Sequence, residues 1–222
     1  MLPRSPVPAA LFDMDRTLVR KETASLYVRY MRRRGGATWR DSVRVLRWVA
    51  QYTAGVIDGP AVAAKAALGL AGTSERVFTA RMADLFMHDI EPLVSPIGHR
   101  VVREHRARGH VLAIVTGATP YAADPLARRL GIPHVVASNL EVAPDGTFTG
   151  RFVDPLCYGV GKLARAKDLA ARLGFRLEDA TFYSDSLTDL PLLEAVGTPV
   201  AVNPDPRLAR VARRRGWRVE RW

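Results

Sequence analysis

The chain has 222 residues, of which 48% are hydrophobic, and a formal net charge of +11. This length suits one domain, or one domain with an insert, and the apolar share excludes disorder as the default state. The single cysteine, Cys157, excludes an internal disulfide and favours a reducing, cytoplasmic compartment. Residues 1–8 lack the apolar core of a signal peptide, and no apolar run approaches the roughly 18 residues of a membrane helix, so we expect no transmembrane segment.

The positive charge comes mainly from arginines, which are scattered apart from the runs Arg32–Arg34 and Arg213–Arg215. Gly35 and Gly216 follow these runs, a pattern typical of helix ends, where cations complement the helix dipole. Aromatic residues do not alternate with the basic runs, as a groove for single-stranded nucleic acid would require. We therefore expect no nucleic-acid partner. A basic binder of nucleic acid or anionic membranes that has lost catalysis is the competing interpretation.

The first predicted strand, Val7 to Phe12, is an apolar run that ends in Asp13 and Asp15. Because side chains alternate along an extended backbone, both carboxylates can point the same way. Two like charges at the end of a buried strand are costly unless a cation or a reaction uses them. The alternative is a solvated turn or a helix N-cap before Leu18.

The next part of the chain predicts helices only. They run from Thr23 to Arg34, from Thr38 to Thr53, from Ala61 to Leu70 after a turn at Asp58 to Pro60, and from Thr73 through Phe86. Since no strand is predicted among them, we interpret residues 21–92 as an inserted, all-helical cap.

From about residue 93, strands and helices alternate. Helices are predicted from Pro96 to Arg108, up to Leu130, from Val160 to Leu173 and from Pro206 to Arg215; strands are predicted at Val111–Val115, Val135–Ala137, Ala180–Tyr183, Pro199–Val202 and near Val219, with a hairpin around Pro144–Gly146. This rhythm predicts an α/β fold with a doubly wound, mostly parallel sheet. The first strand joins that sheet, so the core comprises residues 1–20 and 93–222, and the cap lies over the carboxyl end of the sheet.

Polar residues follow several of these elements, and the carboxyl ends of parallel strands converge on one crevice. They are Asp13 with Asp15, Thr116, Lys162, and Asp185 with Asp189. Each has an ordinary explanation: an N-cap for Thr116, a solvated helix start for Lys162 and a capping pair for the last two aspartates. Their coincidence along one sheet favours a functional site.

With these residues in this order and spacing, the chain resembles the haloacid dehalogenase (HAD) superfamily of phosphohydrolases, and within it the phosphoserine-phosphatase-like branch, subfamily IB. The resemblance rests on Asp13-Met14-Asp15-Arg16-Thr17-Leu18, Thr116-Gly117, Lys162 and Asp185 to Asp189. It implies a Rossmann-like core with a helical cap and Mg²⁺-dependent hydrolysis of a small phosphorylated metabolite through an aspartyl-phosphate. The alternatives on the same fold are a phosphotransferase and a lipid-phosphate phosphatase; the oligomeric state is not predicted.

The resemblance also implies roles for the acidic residues. Asp13 would be the nucleophile, and Asp15 would protonate the leaving oxygen and then activate water. Asp13, the backbone carbonyl of Asp15 and Asp185 would hold Mg²⁺, with Asp189 as a further ligand or a neighbour of the ligands.

Three more residues would bind phosphate. Thr116 and the amide of Gly117 precede a helix, where phosphate oxygens are well held. Lys162 would neutralise charge between the nucleophile and the transferring phosphoryl group.

Four positions bear on the substrate. Arg16 stands where the family usually has a small residue or Asn, and it would either contact substrate phosphate or point into solvent. Glu22 matches a glutamate that binds the substrate amine, or it only opens the first cap helix. Lys65 is the nearest candidate for a cap arginine, and Thr188 replaces an asparagine, so phosphoserine itself is in doubt.

Overall fold

The computed structural model describes residues 7–35 and 59–222. The helix predicted from Thr38 to Thr53 lies outside the described residues. The strands are β1 (Ala9–Phe12), β2 (Val111–Val115), β3 (His134–Val136), β4 (Leu140–Val142), β5 (Phe148–Phe152), β6 (Ala180–Ser184), β7 (Thr198–Val202) and β8 (Arg218–Glu220). Six of them form a parallel sheet in the order β3-β2-β1-β6-β7-β8, and β4 pairs with β5 as the predicted antiparallel hairpin.

The helices within the described residues are α1 (Thr23–Arg33), α2 (Gly59–Leu68), α3 (Glu75–Leu85), α4 (Pro96–Ala107), α5 (Pro120–Leu130), α6 (Val160–Leu173), α7 (Leu190–Ala195) and α8 (Pro206–Arg215). A π-helical turn, Phe86–Ile90, and a 3-10 turn, Glu91–Leu93, join α3 to α4. Two other 3-10 turns span Leu177–Asp179 and Leu187–Asp189. Within residues 7–35 and 59–222, every helix is too short or too polar to cross a bilayer. The parallel sheet with flanking helices confirms the predicted fold class.

The sheet is buried on both faces, which explains why β1 reads as a continuous apolar run. Ala10 and Phe12 belong to a cluster with residues of α4 and α5, whereas Ala9 and Leu11 belong to a second cluster with residues of α6, α7 and α8. All four side chains are essentially inaccessible to solvent. The central strand is therefore held from both sides, and its carboxyl end is a rigid platform.

Several predicted boundaries differ from the structure by one or two residues, and two of them are informative. The strand begins at Ala9 rather than Val7, which is exposed. The turn predicted at Asp58 to Pro60 is helical from Gly59 onward, because proline suits the first turn of a helix. Gly59 also lies against the ring of Tyr158, where an added Cβ would approach to 2.6 Å.

The helical block between α1 and α4 is joined to the hairpin through its backbone. The amide of Gly72 donates to the carbonyl of Phe148 (2.9 Å), the amide of Phe148 donates to Thr73 (3.0 Å) and the amide of Glu75 donates to Gly146 (2.9 Å). Helices and short helical turns are the elements found in the described residues between 23 and 93, with a single-residue bridge from Ser74 to Thr147. The division into a core and a cap at residues 20/21 and 92/93 stays a prediction.

An aromatic cluster packs this block onto the sheet domain. Phe78 of α3 meets the rings of Tyr121 in α5 and Phe148 in β5 edge-on, each at 5.3 Å between centroids. Tyr121 also donates a hydrogen bond of 2.5 Å to Glu75. Edge-to-face pairs of this kind add to the free energy of apolar burial. Helix α3, the hairpin and α5 therefore form one packed unit next to the carboxyl edge of the sheet.

Candidate active site

The loop after β1 presents Asp13 at the carboxyl edge of the sheet. The amide of Asp13 donates to the carbonyl of Tyr183 in β6 (2.8 Å), and Asp13 itself is buried. The Met14 side chain is inaccessible and enters the core, while the amide of Val19 returns to the Met14 carbonyl (2.9 Å) and closes the loop. With Met14 directed into the core, its two aspartate neighbours are left at the edge, as alternation predicts.

Lys162 connects two of the predicted site residues. Its Nζ lies 2.7 Å from Oδ1 of Asp13 and 2.7 Å from Oδ2 of Asp189. The three side chains are at most 9% exposed. Burial by itself would lower the pKa of Lys162, but the charges of Asp13 and Asp189 outweigh it and hold this pKa well above its usual value. The ammonium is therefore a permanent positive charge beside the predicted nucleophile.

Two glycines explain how Lys162 reaches that position. Gly159 precedes α6 with a φ of 53°, in the left-handed region that glycine favours. A Cβ on Gly161 would lie only 2.1 Å from the carbonyl oxygen of Leu156. The preceding loop thus packs directly on the backbone of the first helical turn, and Lys162 emerges from that turn towards Asp13.

The segment after β6 carries the other acidic pair. Asp185 and Asp189 are both buried, and Asp189 Oδ2 also accepts a hydrogen bond from the Ser184 hydroxyl (2.6 Å). The Asp189 oxygen that meets Lys162 is thus already shared with Ser184, which favours a supporting role over direct metal ligation. Asp205 fixes the same segment from α8, because its amide donates to the Asp185 carbonyl and its Oδ2 accepts from the Leu187 amide, both at 2.8 Å.

Asp15 is held by the start of α1. Its Oδ1 accepts from the amide of Thr23 and its Oδ2 accepts from the Thr23 hydroxyl, both at 3.0 Å. Burial, then the charge of Asp13, raises the pKa of Asp15 to about 7, although the Thr23 hydrogen bonds oppose the rise. A carboxyl group with this pKa can both donate and accept a proton near neutral pH.

Burial also raises the pKa of Asp13, to about 6, with Asp189 adding to the effect and Lys162 opposing it. Burial, and then the charge of Asp13, holds the pKa of Asp185 well above its usual range, while Arg16 acts in the opposite direction. The acidic side chains are therefore close enough to repel one another strongly.

This donor set fits Mg²⁺. Within the described residues, no three His, Cys, Asp or Glu side chains converge as a complete cage for a cation. The ligands implied by the resemblance are instead two carboxylates, Asp13 and Asp185, and the backbone carbonyl of Asp15, and all three are hard oxygen donors of the kind that Mg²⁺ prefers. The mutual repulsion of the carboxylates adds a favourable potential for a divalent cation.

Thr116 and Gly117 follow β2, the strand next to β1. Thr116 is buried, and its Oγ1 accepts a hydrogen bond from the Ala118 amide (3.1 Å), so it closes a turn before α5. The N-cap position of α5 belongs to Thr119, not to Thr116. An added Cβ on Gly117 would meet the Cys157 carbonyl oxygen at an ordinary 3.5 Å. The role of both residues in phosphate binding stays a prediction.

Arg16 contacts two carboxylates instead of pointing freely into solvent, and its contact with substrate phosphate stays a prediction. Its Nε lies 3.2 Å from Oδ2 of Asp185 and its Nη1 lies 3.4 Å from Oε1 of Glu22. Glu22 occupies the N-cap position of α1 but makes no side-chain capping hydrogen bond there. Arg16 and Glu22 line one wall of a cavity of about 250 Å³, together with Arg20, Asn203 and Trp222.

The structure does not bring Lys65 to this cavity. Lys65 lies on α2 and is exposed, and its side chain makes no hydrogen bond or ion pair with another described residue, while α2 packs on β5 around Gly150. Thr188 lies in the 3-10 turn before α7, where its hydroxyl is 3.0 Å from that of Ser186. That Lys65 lies near the leaving group together with Glu22 stays a prediction, and the cation beside Glu22 in the structure is Arg16.

Sequence reasoning missed four supporting residues: Thr23, Ser184, Asn203 and Asp205. Asp205 precedes Pro206, a helix-start signal that could have been recognised, and it accepts from the amides of Arg207 and Leu208 as an N-cap. Its second contact with the Asp185 segment has no signal in the sequence. The same holds for the other three, because their partners are distant along the chain or depend on the folded loop.

The chain thus combines an α/β fold with lysine-paired carboxylates at the carboxyl edge of its parallel sheet. A family model of haloacid dehalogenase-like hydrolases matches residues 10–194, and the chain belongs to this family. The match spans every motif on which the resemblance was based, from Asp13 to Asp189. The expected family is thereby confirmed.

Three relatives illustrate the range of similar proteins. The phosphoserine phosphatase SerB1 of Mycobacterium tuberculosis is 36% identical over 216 residues, which cover 95% of this chain and 70% of the relative. The histidinol-phosphatase of Neisseria meningitidis is 28% identical over 95% of this chain and 96% of the relative. The crystal structure of a Bordetella pertussis protein of unknown function has a TM-score of 0.85 at 32% identity, covering 97% of this chain and 99% of that one.

Proposed function

We propose that the chain is a Mg²⁺-dependent phosphatase that hydrolyses a small phosphomonoester through an aspartyl-phosphate on Asp13. The observation that carries the proposal is the buried triad of Asp13, Lys162 and Asp189, with 2.7 Å between the ammonium and each carboxylate. The relatives named as phosphoserine and histidinol phosphatases support the same reaction class.

The side chains divide the reaction into two steps. In the first, a carboxylate oxygen of Asp13 forms a bond to phosphorus while the bond from phosphorus to the leaving oxygen breaks, and Asp15 gives its proton to that oxygen. In the second, water attacks phosphorus, Asp15 takes the proton from water, and the bond to Asp13 breaks to release phosphate. The pKa of Asp15, raised to about 7 by burial and by Asp13, suits both directions of proton transfer.

The remaining groups stabilise charge. Lys162 places its positive charge against the carboxylate of Asp13, and Thr116 with the Gly117 amide holds phosphate oxygens at the end of β2. Bound through Asp13, Asp185 and the Asp15 carbonyl, Mg²⁺ would neutralise developing charge on the phosphoryl oxygens.

Replacing the nucleophile tests the proposal. Asp13→Asn is nearly isosteric, so we expect turnover of p-nitrophenyl phosphate to fall at least about 1,000-fold while the circular dichroism spectrum is retained. Asp168→Asn, on the exposed face of α6, is the matched control and should keep full activity. Treatment with EDTA should abolish activity and added Mg²⁺ should restore it. Substantial activity in Asp13→Asn would exclude the aspartyl-phosphate route.

A panel of phosphate esters identifies the leaving group. Phosphoserine and histidinol phosphate represent the amine-bearing esters, glycerol phosphate a neutral one and a phosphatidate a lipid one. Added alcohol acceptors distinguish hydrolysis from phosphotransfer, because a transferase would form new esters at the expense of inorganic phosphate. No turnover of any ester with Mg²⁺ would contradict the proposed function.

A further inference from the structure

The residue after Asp15 has an unusual backbone. Arg16 has a φ of 55°, in the left-handed region that non-glycine residues rarely occupy. Its carbonyl accepts a hydrogen bond of 2.9 Å from the side-chain amide of Asn203, at the end of β7. The Asn203 Oδ1 in turn accepts from the backbone amide of Trp222 (3.0 Å), and the backbone amide of Asn203 donates to the Glu220 carbonyl (2.9 Å). The backbone of Arg16 is therefore fixed to the neighbouring strand ends.

The side chain of Arg16, by contrast, is held loosely. It meets Asp185 and Glu22 through one nitrogen each, at 3.2 and 3.4 Å, and 35% of it is exposed. Neither contact has the paired, two-bond geometry in which arginine binds a carboxylate most strongly. The guanidinium can therefore leave Asp185 and keep Glu22 as a partner.

We propose that Arg16 is a tethered counter-ion of the acidic site, which competes with Mg²⁺ for Asp185 and so lowers the affinity of the site for the metal. Asp185 is one of the carboxylates assigned to Mg²⁺, so the inference rests on the proposed function. The same guanidinium lies 3.4 Å from Glu22 and so also offsets its negative charge. Arg16 thereby sets how much metal the site needs and how freely Glu22 attracts a substrate cation.

Arg20 offers a matched control. It lines the same cavity as Arg16 and carries the same charge, but its guanidinium donates to the Pro92 carbonyl at 3.2 Å and makes no hydrogen bond or ion pair with Asp185. Arg16→Asn and Arg20→Asn therefore remove the same charge from the same region, and only the first removes the contact. Asparagine also tolerates a left-handed φ, so Arg16→Asn preserves the loop.

The test is titration calorimetry with Mg²⁺ alone on the full chain, after EDTA has been added and removed. We expect Arg16→Asn to bind Mg²⁺ about fivefold to tenfold more tightly than the wild-type chain, and Arg20→Asn to stay within about twofold of it. Thermal unfolding provides a second readout. Without Mg²⁺, Arg16→Asn should unfold about 2–4 °C lower than wild type, because Asp185 has lost its counter-ion, and saturating Mg²⁺ should remove the difference.

The outcomes separate the inference from the function on which it rests. Unchanged or weaker Mg²⁺ binding by Arg16→Asn, with normal binding by the wild type, would overturn the competition and leave the phosphatase assignment intact. An equal gain of Mg²⁺ affinity in Arg16→Asn and Arg20→Asn would also overturn it, because the loss of one positive charge near the site would then explain the gain without any contact to Asp185. Failure of the wild-type chain to bind Mg²⁺ would overturn the proposed function and the inference together.

Discussion

Replacing Lys162 by methionine removes the ammonium of the buried triad while keeping a long apolar side chain. Two buried carboxylates, Asp13 and Asp189, then lose the positive charge that lies 2.7 Å from each of them. Breaking a buried ion pair from one side costs about 3–5 kcal/mol. We expect about 3 kcal/mol at pH 8, the lower end, because protonation of a carboxyl group limits the loss. For a chain of this length, that lowers the melting temperature by about 6–12 °C.

The loss should depend on pH in a defined direction. In the wild-type chain, burial already raises the pKa of Asp13 from 3.8 to about 6, although Lys162 opposes the rise. Without Lys162 the folded-state pKa rises further, so the folded variant binds a proton that the unfolded chain releases. Stability then falls as pH rises. The destabilisation caused by Lys162→Met should be small near about pH 5.5 and complete near about pH 8.

Urea unfolding followed by tryptophan fluorescence measures both effects. Lys167→Met is the control, since Lys167 is exposed on the same helix and its loss removes an identical charge. It should change the free energy of unfolding by at most about 0.5 kcal/mol. Equal destabilisation by the two variants, or a loss for Lys162→Met that does not vary with pH, would refute the account of the triad.

Three further predictions concern single residues. Asp15→Asn should lower turnover by about 10²–10⁴-fold with little effect on melting temperature, and a loss below about tenfold would remove Asp15 from proton transfer. Glu22→Gln should raise KM for an amine-bearing ester and leave p-nitrophenyl phosphate nearly unchanged; equal effects on both would make Glu22 a structural residue. Burial, then the charge of His110, lowers the pKa of His105 to about 4. Below about pH 6.5 the unfolded chain therefore binds a proton at this position that the folded chain does not. The free energy of unfolding falls for this reason as pH falls from about 6.5 towards 4. The urea midpoint of His105→Gln should therefore fall less steeply over that range than that of the wild type, and parallel pH profiles would contradict it.

The periodicity of apolar residues and the positions of turn-forming residues were sufficient to predict most of the fold. The bounds predicted for Val111–Val115, Val160–Leu173 and Pro206–Arg215 agree with the structure, because each is a long or strongly apolar segment bounded by glycine or proline. The start of α2 was missed, because Gly59 and Pro60 favour a turn as well as the first turn of a helix, and the turn was chosen.

In the candidate site, too, some features could be predicted from local sequence signals and others could not. Asp13, Asp15, Lys162 and Asp189 could be proposed from their positions after predicted elements, because parallel strands deliver their carboxyl ends to one edge. The contact of Glu22 with Arg16 could not, because it is made across a folded loop.

The amino-acid sequence by itself determined the doubly wound sheet, the order of the acidic residues and the family to which the chain belongs. These properties follow from local patterns: apolar runs, helix caps and the spacing of charges. Only the tertiary structure decided which cation meets which carboxylate. Lys162 is 149 residues from Asp13, and the carbonyl of Arg16 meets an asparagine 187 residues away. Such pairs form because the packed sheet brings separate strand ends within a few ångströms, and the left-handed backbone of Arg16 then directs its guanidinium to Asp185 and Glu22.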